Sequence, residues 1–208
     1  MTRSLWIASP AVVARLVIGL AIFGAGDALV VASELGNSPW TVLAEGVSIH
    51  TPLSIGAATF AIGATVLLGW LPLRTKPGLG TVLNVIVISA SIDATLALVP
   101  HVGPLGARWA VLLGGIALVG AGSGLYLGAM MGPGPRDGLM TGINRRTGWP
   151  IAAVRTGIEA SAVAAGWALG GTVGIGSLLF AVLIGPSVAT GLALLSPREP
   201  VAARAPTA

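Results

Sequence analysis

Long runs of apolar side chains, separated by short polar connections, leave this chain few ways to fold. A bilayer core about 30 Å thick is crossed by about 20 helical residues. Six stretches reach that length: residues 11–33, 53–73, 79–99, 108–131, 149–169 and 175–195. Backbone donors and acceptors in lipid must be satisfied within the segment, so each stretch is expected to be helical. Most prolines fall at or between the proposed ends, where a missing N–H costs least. Pro186, inside the last stretch, predicts a kink. Only 9% of the 208 residues are charged and 54% are hydrophobic, whereas a soluble domain carries about 25% charged residues. The chain reads as an all-α, polytopic membrane protein. Its 31 glycines suit close helix packing in lipid. Arg3 ahead of an apolar run imitates a signal peptide, but the run is long enough to span, and a retained first helix is expected.

Charge gives the orientation. Arg3, Arg15, Arg74, Lys76, Arg136, Arg145, Arg146, Arg155, Arg198 and Arg204 all fall on one side of a six-helix arrangement, and only Arg108 falls on the other. Basic residues concentrate on the cytoplasmic side, so both termini are expected in the cytoplasm. A bacterial cytoplasmic membrane is the expected location. The net charge of +4 sits in short connections, which argues against a nucleic-acid partner.

The second half repeats the first at a constant offset, 96 positions from Pro39 to Pro135. Gly36, Pro39, Leu43, Gly46 and Thr51 fall on Gly132, Pro135, Leu139, Gly142 and Thr147. Residues 35–98 and 131–194 align without a gap at roughly 18 identities. Self-similarity of this kind marks a duplicated unit. Each copy holds three spans, an odd number, so the second enters the membrane the opposite way up: a 3+3 inverted-topology repeat. The expected division is a cytoplasmic N-terminus (1–10), a first three-helix unit (11–99), a second, inverted one (106–195) and a disordered cytoplasmic tail (196–208).

The segments 37–50 and 133–147 are too short to span. Each opens with a proline, Pro39 or Pro135, after a small residue that can cap. They are expected to be broken or re-entrant helices whose N-termini present free N–H groups, or else amphipathic helices lying on the membrane surface. Gly132, Gly134 and Gly138 resemble a dinucleotide fingerprint, but that motif needs a preceding strand. Arg136, Asp137, Arg155 and Glu159 are the candidate substrate-binding residues, because ionisable groups at membrane depth mark a pathway or a buried partner. Arg155 and Glu159 are four apart and can pair. Asp27 and Asp93 are candidate coupling residues, with capping or interhelical bonding as the plainer role. Glu34, Glu45, His50 and His101 are expected near the outer surface. Trp6, Trp40, Trp70, Trp109, Trp149 and Trp167 are expected as interfacial anchors.

The segment Gly132-Pro-Gly-Pro-Arg-Asp-Gly-Leu-Met140 resembles the signature of the YczE/YyaS/YitT family of bacterial integral membrane proteins, as do Arg155–Glu159, Gly170–Gly176 and Gly185–Pro186. The resemblance implies a bacterial membrane protein, points to Arg136, Asp137, Arg155 and Glu159, and carries no agreed substrate. The expected function is a small secondary transporter or permease for an anionic or zwitterionic solute. The alternative is a membrane scaffold docking a cytoplasmic partner through the 132–149 loop. An intramembrane enzyme is not expected: the chain has no cysteine, no HExxH and no Ser/His pair at depth. No cofactor or metal is expected, and a homodimer is an open expectation.

Overall fold

A computed structural model describes residues 4–196 of the chain. Arg3, Arg198 and Arg204 of the charge count, and the expected tail apart from Ser196, lie outside the described residues.

Among the described residues the secondary structure is entirely helical: α1 Pro10–Ala32, α2 Pro39–His50, α3 Ile55–Leu68, α4 Trp70–Leu73, α5 Leu79–Leu98, α6 Leu105–Leu127, α7 Pro135–Thr147, α8 Ile151–Ala168 and α9 Ile175–Leu195. Five segments are long and apolar enough to cross a membrane: α1, α3 with α4, α5, α6 and α9. The expected sixth, 149–169, becomes α8, which is 18 residues long and less apolar than the other five because Arg155 and Glu159 lie within it. The expected 53–73 span is divided at Gly69 into α3 and α4. The expected 108–131 span runs instead from Leu105 to Leu127, after which Met130 and Gly132 take positive φ values of 54° and 112° and turn the chain toward α7. Pro186 lies inside α9.

α1 packs most extensively on α6, and each of these carries a further long helix, α5 on α1 and α9 on α6. The short helices cross over: α2 lies against α8 and α7 against α3. Element starts keep the sequence offset, since Pro39, Ile55 and Leu79 open α2, α3 and α5 while Pro135, Ile151 and Ile175 open α7, α8 and α9. Local bonds correspond as well. The Gly80 N–H donates to Met131 O at 2.8 Å and the Gly176 N–H to Leu35 O at 2.7 Å. Glu34 and Met130 have φ of 53° and 54°, Gly36 and Gly132 of 118° and 112°. A side chain at Gly36 would meet Gly174 N at 2.6 Å, so both φ and space require glycine there.

The α1–α6 seam is built from glycines. A Cβ at Gly19 would meet Gly122 O at 2.9 Å, and one at Gly26 would meet Gly115 O at 2.7 Å. Helices approach this closely only where side chains are absent. On either side lie two buried apolar clusters, one around Leu16, Leu20, Ile88 and Ile92, the other around Val30, Leu112, Ile116 and Val119.

Candidate functional site

Proline at the first helical position fixes how α2 and α7 begin. Pro39 and Pro135 lack the N–H that would be unsatisfied there anyway, and their fixed φ starts the turn. Burial then falls along each helix. Trp40, Thr41 and Val42 are buried while Ile49 and His50 are exposed; Pro135 and Gly138 are buried while Arg145 and Arg146 are exposed. Both helices run from the interior outward, N-terminus inside. Their first turns border one cavity of about 310 Å³, to which Pro39, Trp40, Gly134, Pro135, Arg136 and Asp137 all contribute.

The cavity lining keeps the repeat register. Trp40 and Arg136, Thr59 and Arg155, Gly63 and Glu159, Asn84 and Phe180, and Ile88 and Ile184 are matched positions, and all ten border the same space. The charges come entirely from the second copy, on α7 and α8. Where these stand, the first copy has Trp40, Thr41, Thr59 and Gly63.

Arg136 lies over Trp40, its guanidinium carbon 5.0 Å from the indole centroid. Its guanidinium makes no ion pair among the described residues. Stacking satisfies the face of a guanidinium and leaves its edge donors free. Burial pulls the group below its ordinary pKa range, opposed first by Asp27 and then by Asp137; a guanidinium still stays charged at any physiological pH. Burial also raises the Asp137 carboxyl, against Arg136, Arg155 and a backbone hydrogen bond at Gly134. Arg155 donates from Nε to Glu159 Oε1 at 3.0 Å, with side chains 55% and 39% exposed. An exposed pair of this kind adds only about 0.3–0.5 kcal/mol, so it is poorly explained as a fold-stabilising contact.

The structure thus brings four of the six candidate residues, Arg136, Asp137, Arg155 and Glu159, to one cavity. Asp27 sits just outside it. Its carboxylate is 2% exposed and accepts from Thr41 Oγ1 at 2.7 Å, and Thr41 also meets Ser38 Oγ at 2.7 Å, which ties α2 to α1. Asp93 is elsewhere: it accepts from Ser54 Oγ at 2.5 Å and from the Gly56 N–H at 2.8 Å, closing the first turn of α3. Asp93→Ala should therefore behave as a lost cap, costing about 0.5–2 kcal/mol of stability while leaving solute binding intact. Thermal unfolding and ligand titration on the same sample check both halves of that expectation.

Several sequence expectations need correction. Trp40 and Trp70 are not interfacial anchors. They are 9% and 2% exposed; Trp70 packs on Gly138 and donates from Nε1 to Pro135 O at 3.0 Å. Its ring occupies the space a side chain at 138 would need, and so holds α7 by its first turn. Glu45, expected near the outer surface, is half-buried: it accepts from Asn37 Nδ2 at 2.8 Å and from Thr172 N and Oγ1 at 2.6 and 2.9 Å. Glu34 pairs with Arg108 at 2.9 Å and with His101 at 3.1 Å. Arg145 and Arg146 donate to the Leu73 and Pro72 carbonyls at 2.9 and 2.8 Å, tying α7 to α4. Asn84, Ser89 and Tyr126 line the cavity and were not singled out in the sequence. The repeat offset could have found Asn84 only by pairing it with an apolar Phe180.

Residues 12–191 match a family described as a family of unknown function, DUF6198. The chain is 44% identical over 185 residues to an uncharacterized protein of Haemophilus influenzae, covering 89% of this chain and 85% of that one. It is 35% identical over 170 residues to the uncharacterized membrane protein YczE of Bacillus subtilis, 80% of this chain and 79% of that one. It is 28% identical over 172 residues to YyaS of the same organism, 81% of this chain and 86% of that one. No solved structure matches. With five apolar helices of spanning length and relatives that include a named membrane protein, this is a membrane protein of the DUF6198 family, the family of YczE and YyaS.

Proposed function

We propose that the protein is a small secondary transporter, working by alternating access between two inverted halves and carrying a small anionic or zwitterionic solute. The observation that carries this is the cavity: matched positions of both copies line it, two buried helix N-termini open onto it, and Arg136 faces it without an ion-pair partner among the described residues. Paired broken helices at a central site between inverted repeats are a transporter plan. In this scheme α8 is the sixth crossing, with Arg155 and Glu159 facing the cavity in preference to lipid. Segments α2 and α7 are re-entrant from opposite sides. Both termini are cytoplasmic, in a bacterial cytoplasmic membrane. The reciprocal contacts of Gly19 with Gly122 and of Gly26 with Gly115 support a two-fold relation between halves, since a two-fold axis turns each such contact into the other.

A scaffold docking a partner through residues 132–149 draws less support, because Arg145 and Arg146 are already engaged on α4 carbonyls.

The test is flux. Purified protein in liposomes should accumulate some member of a mixed pool of labelled small metabolites. Arg155→Ala should abolish that accumulation while leaving the fold intact, since an exposed i,i+4 pair adds only about 0.3–0.5 kcal/mol. Absence of flux for every solute, together with a cellular phenotype indifferent to Arg155→Ala, would remove the proposal.

A further inference from the structure

We infer that the cavity is built for a zwitterion with an apolar body, the chemistry of an aliphatic α-amino acid, with the carboxylate held by Arg136 at the α7 N-terminus and the ammonium held by Glu159 and Asp137. This rests on the transport reading of the same cavity and narrows it to a solute class. Among the described residues, the charged side chains bordering the space are two cations, Arg136 and Arg155, and two acids, Asp137 and Glu159. A simple anion would bind Arg136 but face both carboxylates, with the buried Asp27 behind α2 adding a third. A simple cation would meet the reverse problem with the two arginines. A ligand carrying both charges is the one that leaves none opposed.

Two further observations point the same way. Ser89, on α5, is 5% exposed and borders the cavity, yet its hydroxyl has no hydrogen-bond partner among the described residues. A buried hydroxyl is normally paired; this one is an unmet polar group in the cavity wall, its oxygen itself closed off from the space. Much of the remaining wall is apolar, although Thr59, Asn84, Ser123 and Tyr126 also border it. Ile62, Val85, Ile88, Phe180 and Ile184 line it, and they leave the charged groups confined to α7 and α8. A ligand polar at one end and aliphatic at the other satisfies both walls, as ligand pockets with a few convergent polar groups do.

The full-length protein in lipid nanodiscs is titrated calorimetrically with three probes of similar shape: L-leucine, 4-methylpentanoate, which lacks the ammonium, and 3-methylbutylamine, which lacks the carboxylate. Leucine should bind at least about 30-fold more tightly than either analogue, the equivalent of about 2 kcal/mol. Glu159→Gln should weaken leucine about tenfold or more, as loss of a charged hydrogen bond does, without weakening 4-methylpentanoate, and its unfolding temperature reports that the fold is kept. Equal binding of leucine and 4-methylpentanoate overturns the inference in favour of a plain anion site, and equal binding of the amine overturns it in favour of a cation site. No heat from any probe at millimolar concentration also overturns it. Flux of some other solute in liposomes without leucine binding removes the zwitterion class and leaves transport standing, whereas leucine binding without any flux removes transport and leaves the site.

Discussion

Arg136→Ala should abolish solute binding and uptake while leaving a folded protein. The guanidinium faces the cavity, stacks on Trp40 at 5.0 Å and has no ion-pair partner among the described residues. Removing one member of a buried charge pair with a ligand costs about 2–5 kcal/mol, or about 30-fold to a few thousandfold in affinity. The effect on stability is smaller, because a lost cation–π contact of about 0.5–2 kcal/mol is offset by relief from burying a charge. Arg136→Lys separates the two demands on this side chain. A lysine keeps the charge but loses the planar stack and the fork of donors, so it should retain part of the binding. Initial uptake rates in liposomes and calorimetric affinity measure both variants. Wild-type transport by Arg136→Ala would sink the assignment of this residue, whatever the solute.

Two neighbouring glycines should respond in opposite ways to the same substitution. A Cβ at Gly115 would sit 2.7 Å from Gly26 O and 3.0 Å from Val30 N, both atoms of rigid helical backbone in α1. Gly115→Ala should force α1 and α6 apart at a cost of about 1–3 kcal/mol, and Gly115→Leu should yield no folded protein. Gly114 has nothing within 4 Å of a Cβ. Gly114→Ala should be neutral, or stabilising by up to about 1 kcal/mol through helix propensity alone. Thermal unfolding in detergent, with monodispersity by size exclusion, compares them directly. Equal behaviour of the two alanine variants would contradict the close α1–α6 seam. Gly26→Ala, the reciprocal contact, should follow Gly115→Ala.

That glycines let helices pack closely in this chain was readable in outline from their abundance, but that Gly19, Gly26, Gly115 and Gly122 form the α1–α6 seam was not. Which member of the pair Gly114–Gly115 faces α1 was not, because helical periodicity says which residues share a face but not which neighbour that face meets. Trp40 and Trp70 show the same limit. Each lies near a helix end, where an indole at an interface and an indole under a neighbouring helix have the same local sequence, and only the packing of α7 on α3 and α4 makes Trp70 a buried support. Asp93 and Glu45 were legible as acids at membrane or near-membrane positions. Their partners, Ser54 and Gly56 for the first and Asn37 and Thr172 for the second, come from elsewhere in the chain, 39, 37, 8 and 127 positions away.

By itself the sequence determined the all-helical membrane class, the register at which one half echoes the other, the starts of α2 and α7 at Pro39 and Pro135, and the four charges worth following. These are local or periodic properties: an apolar run long enough for lipid has to be a helix, and a proline after a small residue opens one. The tertiary structure decided that α2 and α7 begin in the interior and run outward, that Arg136 meets its own repeat counterpart Trp40, and that Arg155 and Glu159 border the same space as Arg136 and Asp137. It also moved Asp93 out of the site and placed Ser89 and Asn84 in it. These depend on which helices cross, and crossing is fixed by backbone approach at glycine seams and by side-chain volume at long range, neither of which any single stretch of the chain encodes.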